Sequence, residues 1–424
     1  MSIRRIFYTL VLYLIFPFVI LRLFWRSRKN RAYRQRINER LGIFKARFTK
    51  PVIWVHTVSV GETIAAKPLV EALLNQYTDY QLLLTSTTPT GSATVKRLFA
   101  DRVFHVYFPY DLPEIIDRFL KRVQPSLVII VETEIWPNLY AACDKRQIPM
   151  MLANARLSEK SMRGYQKISG LMRETLQRLN LIAVRSSDDA KRFKQLGAKD
   201  KQLVVAGNIK FDLKLDDKQL EQGRKRKQAW GIGRPVWVAA STHAGEEEQL
   251  LRVHAKLLER MPDCLLVLVP RHQERFDSVF SLCQQQKAIR VVRHSQLQSY
   301  EAFDANLVLG DSMGDMQSWY AAADVVFMGG SLVKTGGHNP LEAVSLGKPV
   351  VTGPHVFNFE DIYPLLKETG FVQVCHDISE IKISLRRLLS PTLQDNISNQ
   401  EAKKFIKEFG GVTNRLMSQV KRLI

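Results

Sequence analysis

The chain has 424 residues, of which 46% are hydrophobic and 24% charged; this excludes a disordered or fibrous chain and leaves room for two globular domains. Its four cysteines, Cys143, Cys264, Cys283 and Cys375, form no CxxC pair and have no histidine at metal spacing, which argues against a disulfide framework or zinc site and fits a reducing compartment. A net charge of +21 asks for an anionic partner (nucleic acid, a membrane surface or a phosphorylated substrate), unless it is only a solvated basic face.

The first element is the uncharged run "IFYTLVLYLIFPFVIL" at residues 6–21. It is slightly short for a hydrocarbon core of about 30 Å, but Arg22 can snorkel and Trp25 suits the interface. Arg4 and Arg5 would also serve a cleaved signal peptide, yet no small-x-small site follows. Instead comes "RSRKNRAYRQR", whose charge places the body of the protein in the cytoplasm. Residues 1–25 are therefore expected to be a retained anchor, spanning or half-inserted, with a flank that binds anionic head groups.

From residue 50 short apolar runs alternate with helical patterns. "VIWVH", "QLLLTSTT", "RVFHVYFPYD", "SLVIIVETE", "PMMLANAR" and "LIAVRSS" predict strands; "GETIAAKPLVEALLNQY", "GSATVKRLFA", "LPEIIDRFLKRVQ", "NLYAACDKR" and residues 162–179 predict helices. The pattern breaks in a charged stretch containing "RKRK", taken as a linker at 213–232. It restarts with "PVWVAAST" and runs through "CLLVLVPR", "IRVVRHS", "NLVLGDS", "VVFMGGS" and "PVVTGP", before a helical C-terminus. No short-period repeat is present. The expected division is thus an anchor at 1–25, a first Rossmann-like domain at 26–212, the linker, and a second Rossmann-like domain at 233–424. The fold class is α/β: two doubly wound parallel sheets, expected to face each other across a cleft, with ligands at the carboxyl ends of the strands.

The stretch "HTVSVGE" is a strand, a glycine turn and a helix start. Such turns usually cradle phosphate, and Glu62 would repel one. "VETEIWPN" ends a strand with Glu132 and Glu134, which strand alternation would put on one face. "GNIKFD" places Lys210 where the chain leaves the first domain, either at the cleft or as a solvated linker residue. In the second half, "GGHNPLEAVSLGKPVVTGP" combines a Gly336–Gly337 turn with Asn339 and Pro340 as N-cap and N1, an opening suited to phosphate. Leu341 and Glu342 follow; the Glu342 carboxylate can accept two ribose hydroxyls, or simply complement the helix dipole. "VPRHQERF" puts Pro270 and Arg271 at a strand end, where the paired donors of Arg271 suit a phosphate, unless it is an ordinary surface arginine. "STHAGEEE" brings Thr242 or His243 near the same ligand, and its acidic run reads as a solvated helix start. Met313, Gly314 and Asp315 in "LGDSMGDMQSWY" form another glycine turn, weak by itself as a base or ribose site.

Together "HTVSVGE", "ETEIWPN", "NARLS", "GNIKFD", "VPRHQERF" and "GGHNPLEA" resemble, in order and over essentially the whole chain, the motif set of 3-deoxy-D-manno-octulosonic acid (Kdo) transferases. The resemblance implies a GT-B glycosyltransferase of lipopolysaccharide inner-core biosynthesis that inverts the sugar and requires no metal or other cofactor. It implies CMP-Kdo as donor and lipid IVA, the lipid A precursor, as acceptor, at the cytoplasmic face of the Gram-negative inner membrane. It puts the general base on Glu62 and transition-state stabilisation on Glu132 and Lys210. CMP contacts fall on Pro270, Arg271, Met313–Asp315 and Asn339–Glu342. Two rivals stand beside it: another GT-B protein using a different nucleotide sugar, and a membrane-bound nucleic-acid-binding protein. The second lacks stacked aromatics or a recognition helix, so no nucleic-acid partner is expected.

Overall fold

The computed structural model describes residues 2–28, 30–297, 304–390 and 399–424, with side chains from 404 onward in the last stretch. The chain divides into two compact units, Met1–Asp212 with Phe409–Ile424, and Leu213–Glu408.

The first unit is built on seven parallel strands: β1 Val52–His56, β2 Gln81–Ser86, β3 Phe104–Tyr107, β4 Pro125–Val131, β5 Met150–Ala155, β6 Leu181–Val184 and β7 Leu203–Val205. Their order in the sheet is β3-β2-β1-β4-β5-β6-β7. The strands are near-continuous apolar runs because both faces are covered. Val52 and Trp54 of β1 point into one core with Leu83, Val128 and Ile130, while Ile53 and Val55 point into another with Leu84, Leu127 and Ile129. The direction of strand winding reverses between β1 and β4, which pair through Val55↔Ile129; the carboxyl ends of those two strands flank the switch point.

The second unit is also built on seven strands: β8 Val236–Thr242, β9 Leu265–Pro270, β10 Val291–Arg293, β11 Leu307–Leu309, β12 Val325–Met328, β13 Val350–Thr352 and β14 Val372–Val374. The order is β10-β11-β9-β8-β12-β13-β14, all parallel, with the switch between β8 and β12.

Three boundaries differ from those expected. The predicted linker at 213–232 holds a 14-residue helix, Asp217–Trp230, capped by the Asp216 carboxylate and belonging to the second unit. Its charge misleads because Leu220, Gly223 and Trp230 line one side and bury, while Arg224 and Lys225 face solvent. A Cβ on Gly223 would sit 2.3 Å from the Ser318 carbonyl oxygen, so this glycine lets the helix cross close to helix Met316–Ala322. Helix Val412–Leu423 belongs to the first unit, not the second: Val412, Leu416, Met417 and Val420 join the core beside helix Lys67–Gln76, and Asp212 accepts the Val412 N–H at 3.0 Å. The N-terminal helix runs from Ile3 to Ser27, two residues beyond the expected anchor, and its inner side packs on the first unit. Helix Ser187–Gln195, β7, β14 and helices Tyr363–Glu368 and Ile378–Leu388 complete the two units and have no counterpart in the sequence reading.

Candidate active site

After β1 the chain makes a tight turn into the short helix Val60–Ala65. Ser59 caps it, and Thr57 and Thr63 join hydroxyl to hydroxyl at 2.9 Å, with the Thr63 hydroxyl donating to the Ser59 carbonyl at 2.8 Å. The Glu62 carboxylate folds back on this turn, accepting the Val58 N–H at 2.6 Å and the Ser59 hydroxyl at 3.3 Å. Burial pushes the Glu62 carboxyl up to about 7; the Val58 N–H opposes the shift, and the charges of Glu132 and Glu134 reinforce it. His56, in the same motif, is fully buried, stacks on Phe108 at 3.9 Å and is held neutral by desolvation, its pKa lowered to about 3. It is a core residue.

Glu132 and Glu134 do gather near Glu62, but not by strand alternation. Strand β4 stops at Val131, and Glu132 turns into the left-handed region at φ 64°, a conformation uncommon for a residue with a side chain. Its N–H donates to Ala153 on β5 at 2.9 Å, and its carboxylate meets the guanidinium of Arg185 at 2.5 Å. Arg185, directly after β6, has a side chain only 5% exposed and also donates to the Asn154 carbonyl at 3.2 Å. Burial pushes Glu134 up to about 7 as well, with the charge of Glu132 adding to the rise.

Lys210 sits in the single turn Ile209–Phe211, half-buried. That turn is pinned by two asparagines: Asn208 accepts the Lys210 N–H at 3.1 Å, and buried Asn154, also left-handed at φ 56°, accepts the Ile209 N–H at 3.0 Å. The backbone of Lys210 is thus tied to the same sheet end as Glu132. Arg185 was missed in the sequence, where "AVRSS" carries no local signal; Asn154 opens the "NARLS" motif but was given no role there.

In the second unit His243 follows β8, and Pro270 ends β9 with Arg271 directly after it. The exposed Arg271 is held by its backbone, which donates to the Thr242 carbonyl at 3.0 Å. His243 and His338 stack with ring centres 5.2 Å apart and share one hydrogen bond between their Nε2 atoms at 2.9 Å; His272 meets His243 edge-on at 5.5 Å. Burial lowers His338 to about 4, with His243, Arg271 and His272 adding repulsion. The acidic run expected to be solvated is instead structural. Glu246 is fully buried, and its carboxylate accepts the N–H groups of His243, Gly330, Ser331 and Leu332 at 2.7–3.0 Å. It thereby locks the turn after β12 onto the end of β8. Glu247, also fully buried, forms a two-point ion pair with Arg275. At Gly329 a Cβ would lie 2.5 Å from the Ser241 carbonyl oxygen, so the turn after β12 can pass only with glycine there.

The remaining predicted contacts form a second patch on this unit. Gly314 turns at φ 96° between the exposed Met313 and Asp315, whose carboxylate accepts the Ser312 hydroxyl at 2.6 Å. Helix Leu341–Ser345 starts one residue later than expected, with Pro340 at the cap position, though the Asn339 side chain still accepts the Leu341 N–H at 3.1 Å. With five residues this helix has little macrodipole, so any anion there would rely on individual N–H groups. Glu342 accepts from Gln317 at 2.9 Å, which ties this turn to the helix behind Met313–Asp315. Among the described residues, no group of three or more His, Cys, Asp or Glu side chains is placed to hold a metal ion.

Residues 35–213 match the family model described as 3-Deoxy-D-manno-octulosonic-acid transferase (kdotransferase), and residues 246–406 match the model described as Glycosyl transferases group 1. The chain is similar to the 3-deoxy-D-manno-octulosonic acid transferase of Haemophilus influenzae, at 40% identity with 98% of each chain covered. It is also similar to that of Bordetella pertussis, at 38% identity with 76% of each covered. A solved glycosyltransferase from Rickettsia africae shares the fold, with TM-score 0.56 at 14% identity over 89% of this chain and 99% of that one. The fold is the GT-B pairing of two Rossmann-like units. Identity at this level along almost the entire length settles the relationship: this chain belongs to the 3-deoxy-D-manno-octulosonic acid transferases and is a glycosyltransferase.

Proposed function

We propose that this enzyme transfers Kdo from CMP-Kdo to lipid IVA with inversion at the sugar, Glu62 acting as the general base. The observation that carries the reading is the Glu62 carboxyl itself, at the switch point of the first sheet and raised to about 7 by burial and by two neighbouring acids. A base poised near working pH is ionised when substrate arrives, yet basic enough to take a proton in the transition state.

In this scheme the acceptor hydroxyl gives its proton to Glu62 as its oxygen bonds to the anomeric carbon of Kdo. The bond from that carbon to the CMP phosphate breaks, and its electron pair leaves with CMP. Glu132, held by Arg185, offers a fixed negative charge to the positive character that develops on the sugar. Lys210 and Arg271 supply the opposite charge to the leaving phosphate, so the reading needs no metal ion. Pro270, the Met313–Asp315 turn and Asn339–Glu342 would hold the CMP, with Glu342 on the ribose. The basic surface and the apolar N-terminal helix suit a bis-phosphorylated lipid acceptor at the cytoplasmic face of the inner membrane. The discriminating experiment is a donor panel with lipid IVA. Incorporation from CMP-Kdo is expected; incorporation from UDP-GlcNAc but not CMP-Kdo would overturn the assignment.

A further inference from the structure

The N-terminal helix is the only helix among the described residues that is long and apolar enough to cross a membrane. Its surroundings fit a different use. Its inner side is fastened to the first unit along most of its length. The Ser2 hydroxyl and Arg4 reach Glu174 at 2.5 and 2.6 Å, Tyr8 donates to Asp111 at 3.0 Å, and Thr9 donates to Asn138 at 3.2 Å. Tyr13 bonds Glu114, and Phe16 packs edge-on against Tyr110. Asp111 is itself buried and also accepts the N–H groups of Asn138 and Leu139, so these contacts belong to the fold of the unit.

The fastened stretch, Ser2 to Phe16, covers about 21 Å of a helix of about 37 Å. Crossing a core of about 30 Å would leave only about 7 Å outside. Most of the fastened stretch, with Asp111, Glu114 and Asn138, would then lie in hydrocarbon, which charged and polar groups resist. The opposite side of the helix carries Phe7, Leu10, Leu14, Phe18, Leu21 and Trp25, all exposed and spaced three or four residues apart, so they form one stripe. Exposed Arg22, Arg26, Arg28, Arg31 and Arg34 cluster at the far end of that stripe, where anionic head groups would lie.

We infer that this helix lies in the plane of an anionic membrane, half-embedded by its apolar stripe while its inner side stays on the first unit, and that it does not span the bilayer. The inference rests on the membrane location proposed above and adds the mode of attachment. Two readouts on the full-length protein separate them. Purified protein is mixed with protein-free vesicles of phosphatidylglycerol and phosphatidylethanolamine. The wild type should partition onto them, more weakly onto phosphatidylcholine alone. Leu14→Arg combined with Phe18→Arg should lose about tenfold or more of that partition, with its melting temperature and detergent activity kept. Should that pair fail to fold, Phe7→Ser with Leu21→Ser reads the same loss. Separately, a protease-sensitive epitope ahead of Met1 should be cut in inverted inner-membrane vesicles and protected in spheroplasts. No binding of wild-type protein to protein-free vesicles would overturn the membrane location and mark the stripe as a protein contact. Vesicle binding with the epitope cut in spheroplasts would overturn only the in-plane placement. Unchanged partition of the stripe variants would overturn the role of the stripe.

Discussion

The role proposed for Glu62 depends on its uncomfortable surroundings. Burial and two neighbouring acids raise its carboxyl to about 7, while an unfolded glutamate titrates near 4.5. A general base acts in its ionised form, so the role proposed for Glu62 predicts that kcat/KM rises with pH on a limb centred near 7 and falls about tenfold per unit well below it. Glu134→Gln removes one of the charges that raise Glu62, and a pH–rate profile of that variant should show the limb displaced to lower pH. The same shift has a cost in stability. A carboxyl that holds its proton more tightly when folded stabilises the fold at low pH, and that contribution is lost between about 4.5 and 7. At pH 8 the folded enzyme therefore carries an unfavourable charge that Glu62→Gln removes. Thermal unfolding should find that variant more stable than wild type by about 1–2 kcal/mol at pH 8, with the gain vanishing toward pH 5. The turn and helix start around Glu62 were legible in the sequence because they are contiguous, while its proposed role came from the family resemblance. Arg185 was not legible: it meets Glu132 only once β4, β5 and β6 lie side by side, and 53 residues separate the pair along the chain.

At the scale of elements, the strand-end turns matter more than the helices behind them. The turn after β12 is held by one buried carboxylate, Glu246, which satisfies four backbone N–H groups. Replacing it with alanine leaves those donors buried without acceptors, a loss of about 3 kcal/mol or more. Because Gly330–Leu332 lead into the His338–Glu342 stretch, Glu246→Ala should also weaken CMP-Kdo binding, which calorimetry would detect alongside a lowered melting temperature. Nothing in the local sequence warns of this, since "GEEE" looks like the solvated start of a helix and composition cannot tell a buried acid from an exposed one. Strands and helices with clean apolar periodicity were legible, and β1 and β8 fall where their runs predict. The short edge strands β7 and β14 were not, because three residues carry too little pattern to separate from loop.

At the scale of the molecule, two parallel sheets follow directly from alternating apolar runs and helical patterns, but their strand orders do not, and the two differ because β11 inserts between β10 and β9. Nor does the return of the chain to its first unit, since helix Val412–Leu423 has an amphipathic pattern that would fit either core. Its four buried residues, at about 2 kcal/mol each, make it a structural part of the unit that carries Glu62. Ending the chain at Phe409 should therefore lower the melting temperature of the first unit and cost activity, although every proposed site residue remains; differential scanning calorimetry of that truncation checks it. The proposed reaction requires both units, an ionisable base on one and nucleotide contacts on the other. Its most direct test is mass spectrometry of lipid IVA incubated with CMP-Kdo and either wild type or Glu62→Gln, with CMP-Kdo binding measured in parallel. Wild type should add the mass of Kdo, and Glu62→Gln should bind the donor yet leave the lipid unchanged. No mass gain with wild type, or near-normal turnover by Glu62→Gln, would contradict it.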